Sequence, residues 1–145
     1  MKKFKLTSEF IVDISGVKLF RIKALIEFGN VKAGDLGGYI EKEENLSHMG
    51  DAWVSGNARV FGDAQVFGDA RVSGDKDYAY AHGFGSCNRT TTFFRLKDGD
   101  VGVRCGCFYG TLAQFRDKVC ETHGETKKAQ EYLMLADLME IRFKN

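Results

Sequence analysis

The sequence predicts a mainly β protein with an α+β C-terminal unit: a short left-handed β-helix of hexapeptide repeats, capped by an N-terminal β-hairpin and a C-terminal ββαα unit. Three observations predict it. A six-residue repeat runs from Leu36 to Asp77, ten of the 17 glycines lie between Gly34 and Gly85, and the 145 residues include no proline. A six-residue period matches neither the 3.6 of a helix nor the 2.0 of a plain strand, so the chain has to turn once per hexad. The absence of proline suits short strands that all donate to their neighbours.

Residues 1–35 are expected to form the hairpin cap. Phe10–Val12 and Val17–Ile26 are rich in β-branched and aromatic residues, and Ser15-Gly16 between them is a turn signal. Residues 36–85 are the repeat. Its clearest hexads begin at Val54, Val60, Val66 and Val72; His48 to Trp53 fits well, and Leu36 to Ser47 fits more loosely. Within a hexad the valine is read as facing inward, Gly-Asp or Gly-Asn as the corner, and the next alanine as pointing back inside. At the roughly 18 residues per coil of such folds, seven hexads give only about two and a third coils, so capped ends are required. That spacing stacks Ser55 between Gly37 and Ser73, Phe67 on Met49, and Phe61 on Glu43. Phe61 and Phe67 then point outward and need a cover, either from flanking segments of the same chain or from another subunit. Triangular solenoids associate about threefold axes, so the expected assembly is a homo-oligomer, a trimer, with Phe61 and Phe67 at its interface.

Residues 86–145 read as ββαα. Thr90–Leu96 and Val101–Phe108 flank the turn Asp98-Gly99. Thr111 has capping-box spacing to Gln114 and opens a helix that ends near His123-Gly124. Thr126 caps a second helix with Ala129, Tyr132, Leu133, Ala136 and Met139 on its inner stripe.

Composition narrows the function. With 21 Lys+Arg against 20 Asp+Glu, the formal charge is +1, which argues against a duplex nucleic-acid binder because no concentrated basic surface is available. The three segments carry +3, −4 and +2. No apolar run is long enough to cross a bilayer, and the N-terminus lacks a signal-peptide core. The expectation is a cytoplasmic protein without membrane partners, whose four cysteines are thiols or ligands.

Three constellations carry candidate chemistry. Asn88, Arg89, Thr90, Thr91 and Thr92, with Arg95 and Arg104 on the adjoining hairpin, offer guanidinium, amide and hydroxyl donors that suit phosphate or carboxylate oxygens. Aromatics close in sequence, such as Phe84, Phe93, Phe94, Phe108 and Tyr109, are available to stack a base. The alternative is a polar loop leading into a half-buried strand. Cys105, Cys107, Cys120 and His123 are zinc ligand types, but a one-residue gap gives a strained bite, so no metal is assigned; the alternatives are small buried thiols or a Cys–His nucleophile pair without an orienting residue. His48 and His82 lie at the two ends of the repeat, where an acyltransferase would need a base, but no loop insertion flanks either. No catalytic residue and no cofactor are assigned.

The stretch from Asn30 to Tyr39, continuing through Asn45-Leu46-Ser47 and Gly50–Trp53 into the Gly-Asp-Ala-Arg-Val hexads, resembles the hexapeptide-repeat, YdcK-type β-solenoid proteins of bacteria. Thr90–Phe94, Cys105–Phe108, Gly110-Thr111, Thr122–Gly124 and Glu131–Leu133 resemble the C-terminal unit of small phage and prophage proteins. Neither resemblance brings a catalytic site. What the phage setting implies is a non-enzymatic anti-defence protein that sequesters a small anionic, nucleotide-type host immune signal in the host cytoplasm. Two alternatives stand beside it: a protein–protein inhibitor of a host defence complex or structural phage component, and a hexapeptide acyltransferase.

Overall fold

The computed structural model describes residues 2–85 and 89–144. β1 (Phe4–Val12) and β2 (Lys18–Ala24) form an antiparallel hairpin. Its turn is held by the Asp13 carboxylate, which accepts from the Ser15 N–H, the Ser15 hydroxyl and the Val17 N–H at 2.7–2.9 Å, with Gly16 at φ +90°. β3 (Leu36–Ile40) pairs antiparallel with β2. Two-residue strands follow at β4 (Trp53–Val54), β5 (Arg59–Val60) and β6 (Arg71–Val72). β5 pairs parallel with β3 and completes a four-stranded sheet in the order β1-β2-β3-β5, while β4 and β6 form a separate parallel pair. β7 (Tyr78–Phe84), β8 (Arg89–Arg95), β9 (Val101–Cys105) and β10 (Phe108–Thr111) form an antiparallel sheet in the order β10-β9-β8-β7. α1 (Leu112–His123) and α2 (Lys127–Arg142) pack on it.

This architecture corrects the predicted left-handed β-helix. The structure is a mainly β protein whose principal sheets are antiparallel or mixed, followed by two C-terminal helices, and its sheets do not form a solenoid. The physical reason lies in strand length and offset. Two-residue strands give too few ladder bonds for a continuous parallel wall. The pairing offset also changes, from 20 residues at Tyr39–Arg59 and Leu46–Val66 to 18 at Trp53–Arg71. A 3-10 turn at Glu43–Asn45 absorbs the extra length. The predicted stacking of Phe61 on Glu43 is thereby shifted: Glu41, not Glu43, reaches the far side of that corner and accepts from the Gly62 N–H at 2.7 Å. The predicted trimer, drawn from a triangular section, loses its basis with the β-helix. The predicted ββαα unit is likewise short by two strands, because β7, inside the repeat boundary, and β10 both join the C-terminal sheet.

The hexad phase nevertheless governs burial. Val54, Val60, Val66 and Val72 are fully buried, as are Ala52, Ala58 and Ala70, and together they form one core with Ile22, Ile40 and Leu46. Gly50, Gly56, Gly62 and Gly68 turn the corners at φ between +62° and +72°. A second core lies between the C-terminal sheet and the helices, around Phe115, Val119 and Tyr132. β8 is central and covered on both faces: Phe94 enters the first core and Phe93 the second.

The N-terminus is locked to the repeat by an unusual buried lysine. Lys3 is 1% exposed; its ammonium donates to the carbonyls of Ala52 (2.7 Å) and Gly50 (3.3 Å) and stands 4.6 Å over the Phe28 ring. Its backbone N–H donates to His48 Nδ1 at 3.0 Å, and His48 stacks on Phe4 at 4.2 Å. A neutral His48 therefore carries its proton on Nε2, 3.2 Å from Glu43. Burial pulls the Lys3 pKa down to about 8 although the Asp51 charge raises it.

Candidate functional site

The repeat segment docks on the C-terminal sheet through main-chain contacts. The Gln65 N–H donates to the Thr92 hydroxyl at 2.9 Å, the Asp69 N–H to the Tyr109 hydroxyl at 3.3 Å, and the Lys97 N–H to the Asp69 carbonyl at 3.1 Å. Between these anchors and the repeat corners lies a cleft of about 380 Å³, lined by Lys42, Glu44, Asp63, Gln65, Arg89 and Arg104 among others. A second cleft of about 300 Å³ adjoins it, shares Glu44, Gln65 and Arg104, and extends to Glu43 and His48.

Arg104 forms the wall common to both. It lies on β9 opposite Thr92 and Tyr109, and its guanidinium stacks 4.4 Å from the Phe67 ring centroid. Its Nε is buried and, among the described residues, makes no hydrogen bond. Stacking fixes the fork while its remaining donors stay available to a planar anion. Arg89, at the start of β8, lies across the Gly106 turn: Gly106 has φ +58°, and a side chain there would run into the Arg89 guanidinium. Lys42 pairs with Asp63 at 3.2 Å. The Lys2 ammonium beside Glu43 holds that carboxyl below the usual carboxylate range. The site thus combines guanidinium donors for anionic oxygens with carboxylates able to accept from hydroxyl or amino groups.

The residues predicted for the ligand divide three ways. Arg89, Thr90 and Arg104 line the cleft. Thr91 and Thr92 are buried in the central strand, where Thr91 donates to Cys105 Sγ at 3.3 Å and Thr92 holds Gln65. Arg95 lies elsewhere. It pairs with Asp77 at 3.3 Å, donates to the Phe143 carbonyl at 3.2 Å and faces the Phe143 ring, so it fastens α2 to the sheet. Asn88 lies outside the described residues. Sequence reading missed Lys42, Glu44 and Asp63, and offered Gln65 only beside Arg59 and Arg71 as polar hexad positions with no rank among them. For Lys42 and Glu44 the signal was the poorly fitting hexad at Lys42–Ser47, where Glu44-Asn45 stands in place of the Gly-Asp corner.

The remaining candidates fall into structural roles. Phe67 is covered by its own chain, between Arg104 and Tyr109 at 5.2 Å, whereas Phe61 stays 37% exposed with its edge on Tyr80. Cys105, Cys107 and His123 share one pocket, which Cys120 does not reach; among the described residues no three His, Cys, Asp or Glu side chains are grouped to hold a metal ion. No Cys–His hydrogen bond occurs among the described residues; Cys105 bonds instead to Thr91 and Tyr132. His48 is committed to Lys3 and Glu43. His82 bonds to Thr90 at 2.7 Å on an exposed strand. No helix among the described residues is long and apolar enough to cross a membrane. No protein-family model matches the chain, and no curated protein matches it.

Proposed function

We propose that this is a non-enzymatic binding protein that captures a small anionic, nucleotide-type ligand in the cleft between the repeat segment and the C-terminal sheet. The observation that carries the reading is the Arg104 guanidinium, stacked on Phe67 and lining the same cleft as Arg89. In this reading Arg104 and Arg89 grip phosphate oxygens, while Glu44 and Asp63 accept from sugar hydroxyls or base amino groups. The combination suits a nucleotide better than a bare anion, because a bare anion would gain nothing from two carboxylates in its site. Capture alone is the activity, in keeping with the anti-defence setting that the resemblance to phage proteins suggests. Self-association through the exposed Phe61 belongs to the same proposal, and sedimentation of Phe61→Asp checks it.

Isothermal titration against a panel of linear and cyclic nucleotides tests the binding reading. Saturable heat is expected for at least one member, weakened about a hundredfold in Arg104→Ala, in line with loss of a buried charge-assisted contact. No heat across the panel, or a bound nucleotide indifferent to Arg104→Ala, overturns it.

A further inference from the structure

A second cavity, on the other side of the β9–β10 turn, has different chemistry from the cleft. It holds about 270 Å³ between the hairpin turn, the second half of α1 and the start of α2. Its wall is aromatic. Phe115 packs 5.8 Å from Phe108 and edge-on to Tyr132 at 5.6 Å, and the His123 imidazole lies 5.8 Å from the Tyr132 ring. Arg89, Lys118 and the His123 imidazole also line it, and among the described residues no carboxylate does, whereas both clefts of the proposed function contain Glu44. Glu121, in a surface i,i+3 pair with Lys118 at 3.5 Å, does not line the cavity. Burial, and after it the adjoining Cys105 thiol, keep the Tyr132 phenol protonated far up the pH scale.

We propose that this cavity binds a planar aromatic acid: one or two fused rings carrying a carboxylate or phosphate. The rings lie among Phe108, Phe115 and Tyr132, whose faces and edges offer offset and edge-on packing. The anionic group meets Arg89 and Lys118 at the mouth. The volume is just under the range of drug-sized sites, which fits a ring system and excludes a peptide. An aromatic lining without the cations would suit a neutral ring, and cations without the lining would suit any small anion; the two together specify both halves of the ligand. The proposal does not rest on the nucleotide reading, since only Arg89 is shared between the two sites.

The test uses indole-3-carboxylate and benzoate as probes, with neutral indole and inorganic phosphate as controls, followed by calorimetry and by alkylation of Cys107. Cys107 is exposed in the turn and lines the cavity, so an occupant shields it. Expected are saturable binding of at least one aromatic acid, at least tenfold tighter than either control, and slower alkylation of Cys107 but not of the exposed Cys120, which does not line the cavity. Lys118→Glu weakens binding about tenfold or more, and Thr122→Trp, which fills the mouth from an exposed helical position, abolishes it, while Arg104→Ala leaves it unchanged. The proposal is overturned if neither acid binds, if indole or phosphate binds as well, or if the acid binds with Cys107 unshielded. Nucleotide binding to the unsubstituted protein when neither acid binds it would leave the cleft reading standing and remove this one.

Discussion

The buried Lys3 ammonium makes a defined prediction about alkaline stability. Folding lowers its pKa from 10.5 to about 8, mainly by burial. Below pH 8 both folded and unfolded chains carry the proton, and the full desolvation penalty is present. Between pH 8 and 10.5 the unfolded chain binds more protons than the folded one, so stability rises with pH across this window. The difference between the two pKa values corresponds to about 3 kcal/mol in the limit, of which about 2 kcal/mol is gained by pH 9.5. Above pH 10 the trend reverses, because burial raises the Tyr78 and Tyr132 pKa values and their unfolded forms release protons first. Urea titrations from pH 7 to 9.5, followed by fluorescence of the single tryptophan, read this directly. Trp53 is 5% exposed and packs edge-on to Phe28, the ring beneath the Lys3 ammonium. Lys3→Met removes the titrating group, so its stability should stay flat over the same window. A wild-type midpoint that is level or falls with pH, or a Lys3→Met variant that rises as steeply, refutes the account.

Two further substitutions separate structural from binding roles. Arg95→Ala loses the Asp77 pair and the Phe143 carbonyl contact, and should cost about 1–3 kcal/mol in urea unfolding while leaving ligand titrations unchanged. Thr111→Ala removes a hydroxyl that accepts from the Gln114 N–H at 3.2 Å, and should cost about 1 kcal/mol, visible as a lower thermal midpoint by circular dichroism.

Local features were legible in the sequence because they depend on neighbours a few residues apart. The Val-x-Gly-Asp-Ala phase marks which side chains are buried, and the Thr111 and Gly124 ends of α1 follow from backbone groups that need partners within one turn. The coil count and offset were not legible in the same way. Whether hexads close into a solenoid depends on ladder length and on how residues 42–50 accommodate the 3-10 turn, and neither is a property of one hexad. For the site, Arg89 and Arg104 were identifiable as candidate donors, but their partners come from Lys42, Glu44, Asp63 and Gln65, far back in the chain. Thr91 and Thr92 failed as ligand donors for a topological reason. β8 has neighbours on both sides and a core on both faces, so alternation along it does not expose every second residue.

That doubly covered strand ties the fate of the two halves together. Adjacent residues Phe93 and Phe94 anchor opposite cores, so neither core can be dismantled without pulling on the backbone of the other. The molecule should melt in one cooperative step, with the slowest amide exchange concentrated along β8. A chain cut within Ser86–Asn88 should yield neither half as a stable fragment, because the repeat segment would lose Phe94 and the helical segment would lose β7.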